Sequence, residues 1–433
     1  MHRAALHFSV FLVALTLSAS VSAHGLPPDA NAVLSYDADG PRAVSLSAGV
    51  ALRRSAQRYQ FVCPSAWGDQ FAAPVAALAD GTIVVGATSG LMLLGHDGAL
   101  RPHPDPAAVG RSSHVVRSAR GVFTLRPTPD GSELLAVDAQ QVRVLWRDTN
   151  SLYSLAALDD KLVLVRQSGR SLEQVTIAAA DGAELERQVA AVDLPVDYVF
   201  ARADAGAAYA LVVFRNASVA LGSLHMNVFT QLAIGELSIA GPLSIASGTL
   251  LALDGKLTQL VGGQSTPLAD DHYVVCLGQY DAVSYACDAE GIARLSGSAL
   301  AEPLFRFSWL SAPDLERVPA GDARMRCSAQ WQDLRVDLEL AGISLHEDSA
   351  PVAGRAPVSG AIAGAGAAAQ PTAAVPAAAA GAAPAQQASS RGTGCAMLPA
   401  SSSGASHGYA CGLVLALALL RSHRSRARRR ETR

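Results

Sequence analysis

Between residues 30 and 345 the chain alternates short apolar runs with turn dipeptides. Thr82-Ile83-Val84-Val85, Gly121-Val122-Phe123-Thr124-Leu125, Lys161-Leu162-Val163-Leu164-Val165 and Tyr209-Ala210-Leu211-Val212-Val213 are such runs. Their β-branched and aromatic residues suit a pleated, half-buried surface. Asp-Gly stands at Asp39-Gly40, Asp80-Gly81, Asp97-Gly98, Asp130-Gly131, Asp181-Gly182 and Asp254-Gly255. That dipeptide between apolar runs signals a tight hairpin, because both residues tolerate positive φ. Little helical periodicity is present here, so the pattern predicts an all-β body.

One strand-turn-strand unit recurs. Val84-Val85 leads through a small turn to Gly90-Leu91-Met92-Leu93, and Ala136-Val137 to Gln141-Val142-Arg143-Val144. Tyr285-Ala286-Cys287 leads to Gly291-Ile292-Ala293-Arg294, and Val44-Ser45-Leu46 to Gly49-Val50-Ala51-Leu52. The anchors Gly49, Gly90 and Gln141 lie 41 and 51 positions apart by residue number. Short strands at such a period are the pattern of β-propeller blades. About 320 residues at that period give about seven blades, with six as the alternative.

The chain starts Met1-His2-Arg3, then an apolar run from Ala4 to Leu17 and a small-residue stretch from Ser18 to Ala23. A charged start, a greasy core and small residues make a secretory signal peptide, cut between Ala23 and His24 by signal peptidase. The run is short of the ~20 residues a span needs, and a retained anchor is the alternative reading. At the other end, residues 351 to 391 are nearly all Ala, Gly, Pro, Ser and Gln. That composition predicts a disordered linker. Gly394-Cys395 follows, then an apolar run from Tyr409 to Leu420 and a cluster with Arg421, Arg424, Arg426, Arg428, Arg429 and Arg430. Arginines after an apolar segment stay cytoplasmic, so the body is expected outside, with the membrane engaged through the C-terminus as a short apolar helix.

Linker, Gly-Cys, apolar helix and arginine tail resemble the MYXO-CTERM sorting domain of myxobacterial surface proteins. The resemblance covers about the last forty residues. It implies cleavage near Gly394-Cys395 by a dedicated sorting protease and transfer to the outer surface, with Cys395 as the processing residue. A simple tail anchor is the alternative. The expected segments are a signal peptide (1–23), a propeller ectodomain (24–345), a linker (346–393) and a sorting segment (394–433).

Composition narrows the function classes. A formal charge of −3 and 16% charged residues give no footprint for nucleic acid, and the basic tail belongs to the sorting segment. Cys63, Cys276, Cys287 and Cys327 lie in the ectodomain. An even number in an exported chain argues for disulfides, in one of three pairings. Cys276 and Cys287 flank Tyr280-Asp281, a turn between Tyr273-Val274-Val275 and Val283-Ser284-Tyr285, so a hairpin would join them. Cys63 with Cys327 would then tie the domain's start to its end, worth roughly 4 to 5 kcal/mol in the chain-entropy model. The ligand spacings of zinc sites are missing, so no metal and no cofactor are expected.

The stretch from Gly49 through Phe61-Val62-Cys63-Pro64 to Trp67-Gly68 resembles the first blades of exported sialidase-type (BNR) propellers. The Ser-x-Asp-x-Gly-x-Thr-Trp turn of that family is degenerate here: Leu52 to Tyr59 lacks its Asp and Gly. Hydrolysis of that type would need converging arginines, and Arg101, Arg111, Arg117, Arg120 and Arg126 read as strand-edge charge. Asp159-Asp160 and Asp270-Asp271 read as turns rather than calcium ligands. His24 would become the mature N-terminus, where amine and imidazole can chelate copper. His96, His103, His114, His225, His272 and His346 offer no paired partner for it. Trp67, Trp146, Trp309 and Trp331 fit blade packing. The expectation is therefore a non-enzymatic surface propeller that binds a protein or glycan, or serves as structural envelope material. The alternative is a divergent hydrolase or lyase acting on extracellular polymers.

Overall fold

A computed structural model describes residues 28–345, apart from Ser151, Leu152, Ala217, Leu237 and residues 269–271. The signal-peptide boundary Ala23/His24, the linker, and Gly394, Cys395, Tyr409 and Leu420 lie outside the described residues, as do His346, Asp270 and Asp271.

Seven four-stranded antiparallel blades follow one another along the chain. Blade 1 holds β1 (Ala30–Asp37), β2 (Gly40–Leu46), β3 (Gly49–Ser55) and β4 (Arg58–Val62). Blade 2 holds β5 (Val75–Ala77), β6 (Ile83–Ala87), β7 (Gly90–Leu94) and β8 (Leu100–Pro102). Blade 3 holds β9 (His114–Ser118), β10 (Gly121–Thr128), β11 (Gly131–Val137) and β12 (Val142–Asp148). Blade 4 holds β13 (Ser154–Leu158), β14 (Lys161–Ser168), β15 (Ser171–Ala178) and β16 (Glu184–Ala191). Blade 5 holds β17 (Val196–Asp204), β18 (Ala207–Phe214), β19 (Val219–His225) and β20 (Val228–Gly235). Blade 6 holds β21 (Ile239–Ile245), β22 (Gly248–Leu253), β23 (Lys256–Val261) and β24 (Gln264–Pro267). Blade 7 holds β25 (Cys276–Tyr280), β26 (Val283–Asp288), β27 (Gly291–Ser296) and β28 (Ala299–Arg306).

The first strand of each blade is innermost and touches those of both neighbours, β1 against β25 included, so the ring is closed. Strands buried on both faces carry nearly continuous apolar runs, as in β6 (IVVGA) and β14 (KLVLVRQS). Apolar clusters fill the gaps between successive blades. Leu125, Leu134 and Trp146 of blade 3 pack with Leu162, Leu164 and Val175 of blade 4, for example.

The repeat length varies, because inner strands start at 30, 75, 114, 154, 196, 239 and 276: it spans 37 (276 minus 239) to 45 (75 minus 30). The anchor Gln141 is misplaced by one strand. It precedes the fourth strand of its blade, whereas Gly49 and Gly90 begin third strands. Their true counterpart is Gly131, which makes the spacing 41 twice (90 minus 49, 131 minus 90). These three glycines share φ of +153°, +141° and +144°. A Cβ on them would lie 2.5, 2.8 and 1.9 Å from the carbonyl oxygens of Val62, Ala108 and Asp148. Conformation and close approach both demand glycine there.

The four antiparallel strands of every blade are consecutive in the chain, so no blade takes an antiparallel strand from the far end of the described residues. Closure comes instead from a strap after blade 7. β29 (Leu310–Ser311) adds a fifth strand to blade 1, parallel to β4, with Leu310 beside Tyr59. Next comes α1 (Asp322–Leu340), a helix that the sequence pattern did not announce. Its buried stripe is Cys327, Trp331, Leu334 and Leu338, at helical spacing. Trp331 meets Phe61 with ring centroids 5.7 Å apart. Gln330 accepts a hydrogen bond from the Ser65 N–H (3.2 Å) and donates one to the Gln70 carbonyl (3.0 Å). The Cys63–Cys327 disulfide pins the helix there, with Cα atoms 5.5 Å apart. Cys276 and Cys287 are direct cross-strand partners and form the second disulfide. The strand carrying Cys276 begins at that residue and not at Tyr273.

Candidate functional site

Because strands within a blade alternate in direction, the two ends of the ring differ. One end gathers the turns between first and second and between third and fourth strands. The other gathers the middle hairpins and the blade-to-blade crossovers. On this crossover face the two longest connections are residues 63–74 and 103–113. Each contains a short 3-10 turn, Pro64–Trp67 and Pro106–Ala108.

Both connections are fastened to the middle hairpin of blade 2. The Asp69 carboxylate accepts the Thr88 N–H at 3.1 Å, and Val109 pairs with Gly90. Asp105 accepts the N–H groups of Ala107 (2.8 Å) and Val142 (2.7 Å). Those bonds hold its carboxyl below the usual range. Phe71, 71% exposed, and Val109, 67% exposed, therefore lie on the two connections tied to the hairpin that holds Thr88-Ser89. Large apolar side chains displayed on rigid loops are what a recognition patch requires.

The channel behind that face is barred at its far end. Arg117 on β9 donates a 2.6 Å hydrogen bond to the Tyr280 hydroxyl on β25. Its guanidinium sits 5.2 Å from the Tyr280 ring centroid. Blades 3 and 7 are not neighbours, so this contact crosses the ring. Tyr36 stacks beside Tyr280, and Arg294 donates to the Tyr36 hydroxyl at 3.0 Å.

Deeper in, His114 is buried on β9. The Ser113 hydroxyl oxygen lies 3.1 Å from the Leu125 carbonyl oxygen and 3.1 Å from His114 Nδ1. The other ring nitrogen, Nε2, is buried without a hydrogen-bond partner among the described residues. Burial, then the charge of Arg202, pushes the imidazole down to about 4, so it is neutral at ordinary pH. Asp29, just ahead of β1, is the opposite case: burial lifts its carboxyl to about 6.

The other candidates fall apart in space. Among the five clustered arginines, only Arg117 reaches the channel. Arg101 and Arg120 are exposed, Arg111 lies in a crossover, and Arg126 pairs with Glu133 at 2.6 Å. Asp159-Asp160 form the turn between β13 and β14, with Asp159 at φ +50°. His96 bonds the Asp80 carbonyl, His103 the Asp138 carbonyl, and His272 lies 3.5 Å from Asp288. Among the described residues no three His, Cys, Asp or Glu side chains gather as a metal site. Glu133, Asp148, Glu173 and Glu184 are matched by Arg126, Arg147, Arg166 and Arg187, a balanced network between blades 3 and 4. Trp67, Trp146 and Trp331 are buried, and Trp309 packs on the same core as Trp67 and Trp331. Phe71, Val109 and Tyr36 escaped the sequence reading, and Tyr280, read there as a turn residue, is the last residue of β25. The signal for Phe71 was an aromatic directly after the polar Asp69-Gln70 pair.

No protein-family model matches the chain, and no curated protein matches it. Among solved structures the chain is similar to PorZ, a bacterial surface component of the type-IX secretion system of Porphyromonas gingivalis. That match has 12% identity and a TM-score of 0.39, and covers 64% of this chain and 39% of that one. It is also similar to the extracellular domain of a one-component system of B. thetaiotaomicron, with 11% identity, a TM-score of 0.42 and coverage of 64% and 40%. A chain of a nidogen/laminin complex gives 10%, 0.35, and 55% and 92%. The chain thus spans well under half the length of the first two. At these values the likeness carries no functional argument, and the seven-bladed architecture rests on this chain's own sheet order.

Proposed function

We propose that this chain is an exported, envelope-held propeller that binds a protein or glycan through its crossover face and performs no chemistry of its own. The observation that carries the reading is the pair Phe71 and Val109, exposed on two connections that are both hydrogen-bonded to one hairpin. A preformed patch loses little entropy on binding. Two disulfides in a ring of ordinary size fit an oxidising compartment, which supports export. The signal peptide and the sorting segment remain part of the proposal.

The test is binding by the protein purified from producing cells, against envelope extracts and a glycan array. A ligand retained by the native chain and weakened about tenfold by Phe71→Ser with Val109→Ser supports the reading. A ligand that is consumed, or one indifferent to both substitutions, contradicts it. Mass spectrometry of the same material addresses the ends: a chain from His24 to the region of Gly394-Cys395 supports sorting, and a retained arginine tail contradicts it.

A further inference from the structure

An outer strand of a propeller blade exposes a row of unpaired backbone groups, an open template for another strand. Six of the seven blades guard this edge. In blade 1, β4 is covered by β29. In blade 2, β8 is three residues long and holds Arg101 and Pro102. In blade 3, β12 carries Arg143, Arg147 and Asp148, and in blade 4, β16 carries Glu184, Glu186 and Arg187. In blade 6, β24 is four residues long and ends in Pro267. In blade 7, β28 carries Glu302, Pro303 and Arg306.

Blade 5 departs from this pattern. Its outer strand β20 reads VFTQLAIG, eight residues with no charge and no proline. Val228 is 59% and Ile234 55% exposed. The turn ahead of it, Met226-Asn227, has φ of +49° and +62°. Gly, Asn or Asp is favoured at both positions of such a turn. Met226 stands there instead, 78% exposed. Val189 of β16 lies alongside, its N–H donating to Asn227 Oδ1 at 2.9 Å, and is also exposed. The edge has one guard, an extra residue at Leu232 that interrupts the register with β19. Residues 228–231 ahead of it pair in regular register.

We infer that β20 pairs antiparallel with β20 of a second copy, forming a two-fold dimer through blade 5. The occupant follows from charge. From Met226 to Gly235 the segment offers only backbone hydrogen bonds and apolar or neutral side chains. A charged partner would find no counter-charge there, whereas an identical neutral strand meets no like charge. A two-fold axis makes such a contact self-complementary. The blade 1 edge, extended by β29, shows that an outer strand of this ring accepts a further one. The straight run is short, so the contact belongs with small, reversible interfaces.

Analytical ultracentrifugation of the protein purified from producing cells tests this. Wild type is expected to show a concentration-dependent dimer, and Val228→Lys to weaken it at least tenfold with an unchanged melting temperature. Thr230→Cys, an exposed position inside the regular run 228–231, is a second test that does not need that variant to fold. The two copies of that residue meet near the axis and should crosslink on mild oxidation, while Thr249→Cys in blade 6 should not. A wild type that stays monomeric at high concentration, a dimer that survives Val228→Lys, or equal crosslinking at both positions overturns the inference.

Discussion

Arg117 and Tyr280 stand 163 positions apart in the chain and 2.6 Å apart across the ring. A single hydrogen bond, backed by a cation–π contact, therefore ties two blades that share no interface. Arg117→Ala should cost about 2 kcal/mol, about one from each contribution. Tyr280→Phe keeps the ring and should cost about 1 kcal/mol. Denaturant unfolding of both variants reads the difference, and equal losses would mean that the ring contact contributes nothing.

The two disulfides should differ in weight. Cys63–Cys327 spans 264 positions and Cys276–Cys287 spans 11. In the chain-entropy model these are worth about 5 and about 3 kcal/mol. Cys63→Ser with Cys327→Ser should also speed hydrogen exchange first in α1 and at the outer edge of β4. Exchange that rises evenly through the ring would contradict the strap as a separate closing element.

Gly131 and Gly121 offer a controlled comparison within blade 3, at φ of +144° and +140°. A Cβ on Gly131 would lie 1.9 Å from the Asp148 carbonyl oxygen, while Gly121 has nothing within 4 Å. Gly121→Ala should cost about 1 kcal/mol from backbone strain alone. Gly131→Ala adds a collision and should cost roughly 3 kcal/mol or more. Thermal melts of the pair check this ordering.

His114 and Asp29 should pull stability in opposite directions with pH. The folded His114 titrates near 4 against an ordinary 6.5, so its contribution is lost as pH falls from 6.5 to 4. The folded Asp29 titrates near 6 against 3.8, so its contribution is lost as pH rises through that window. Each is worth about 3 kcal/mol, and in the native chain they nearly cancel. His114→Gln should become more stable on acidification from pH 6 to 4, and Asp29→Asn less stable. Unfolding curves across that range give the two slopes, and slopes of one sign would contradict the assignment.

The fold was largely legible because its turns are written locally. All six Asp-Gly dipeptides fall between consecutive strands of one blade. Only at Asp254-Gly255 do both residues hold the positive φ that the turn rule assumes, +51° and +79°. At Gly40 and Gly131 the glycine is already the first strand residue. The misplaced anchor at Gln141 has a local cause: small polar turns precede third and fourth strands alike, and only the collision partner of Gly131 tells them apart. The helix was missed because its four buried apolar residues stand among five others, Ala323, Met325, Ala329, Val336 and Leu340, that fall outside the buried stripe and blur it. The site was harder still. Phe71 and Val109 read as ordinary loop residues until Asp69 and Gly90 bring their loops to one hairpin, and the Arg117–Tyr280 bar exists only once the ring closes.

The measurement that tests the binding account most directly is hydrogen–deuterium exchange on the purified protein with and without its captured ligand. The account predicts slowed exchange in residues 63–74, 88–90 and 103–113, with the β20 edge and the hairpin end unchanged. Protection confined to the channel strands or to the hairpin end, with those three segments unaffected, would contradict it.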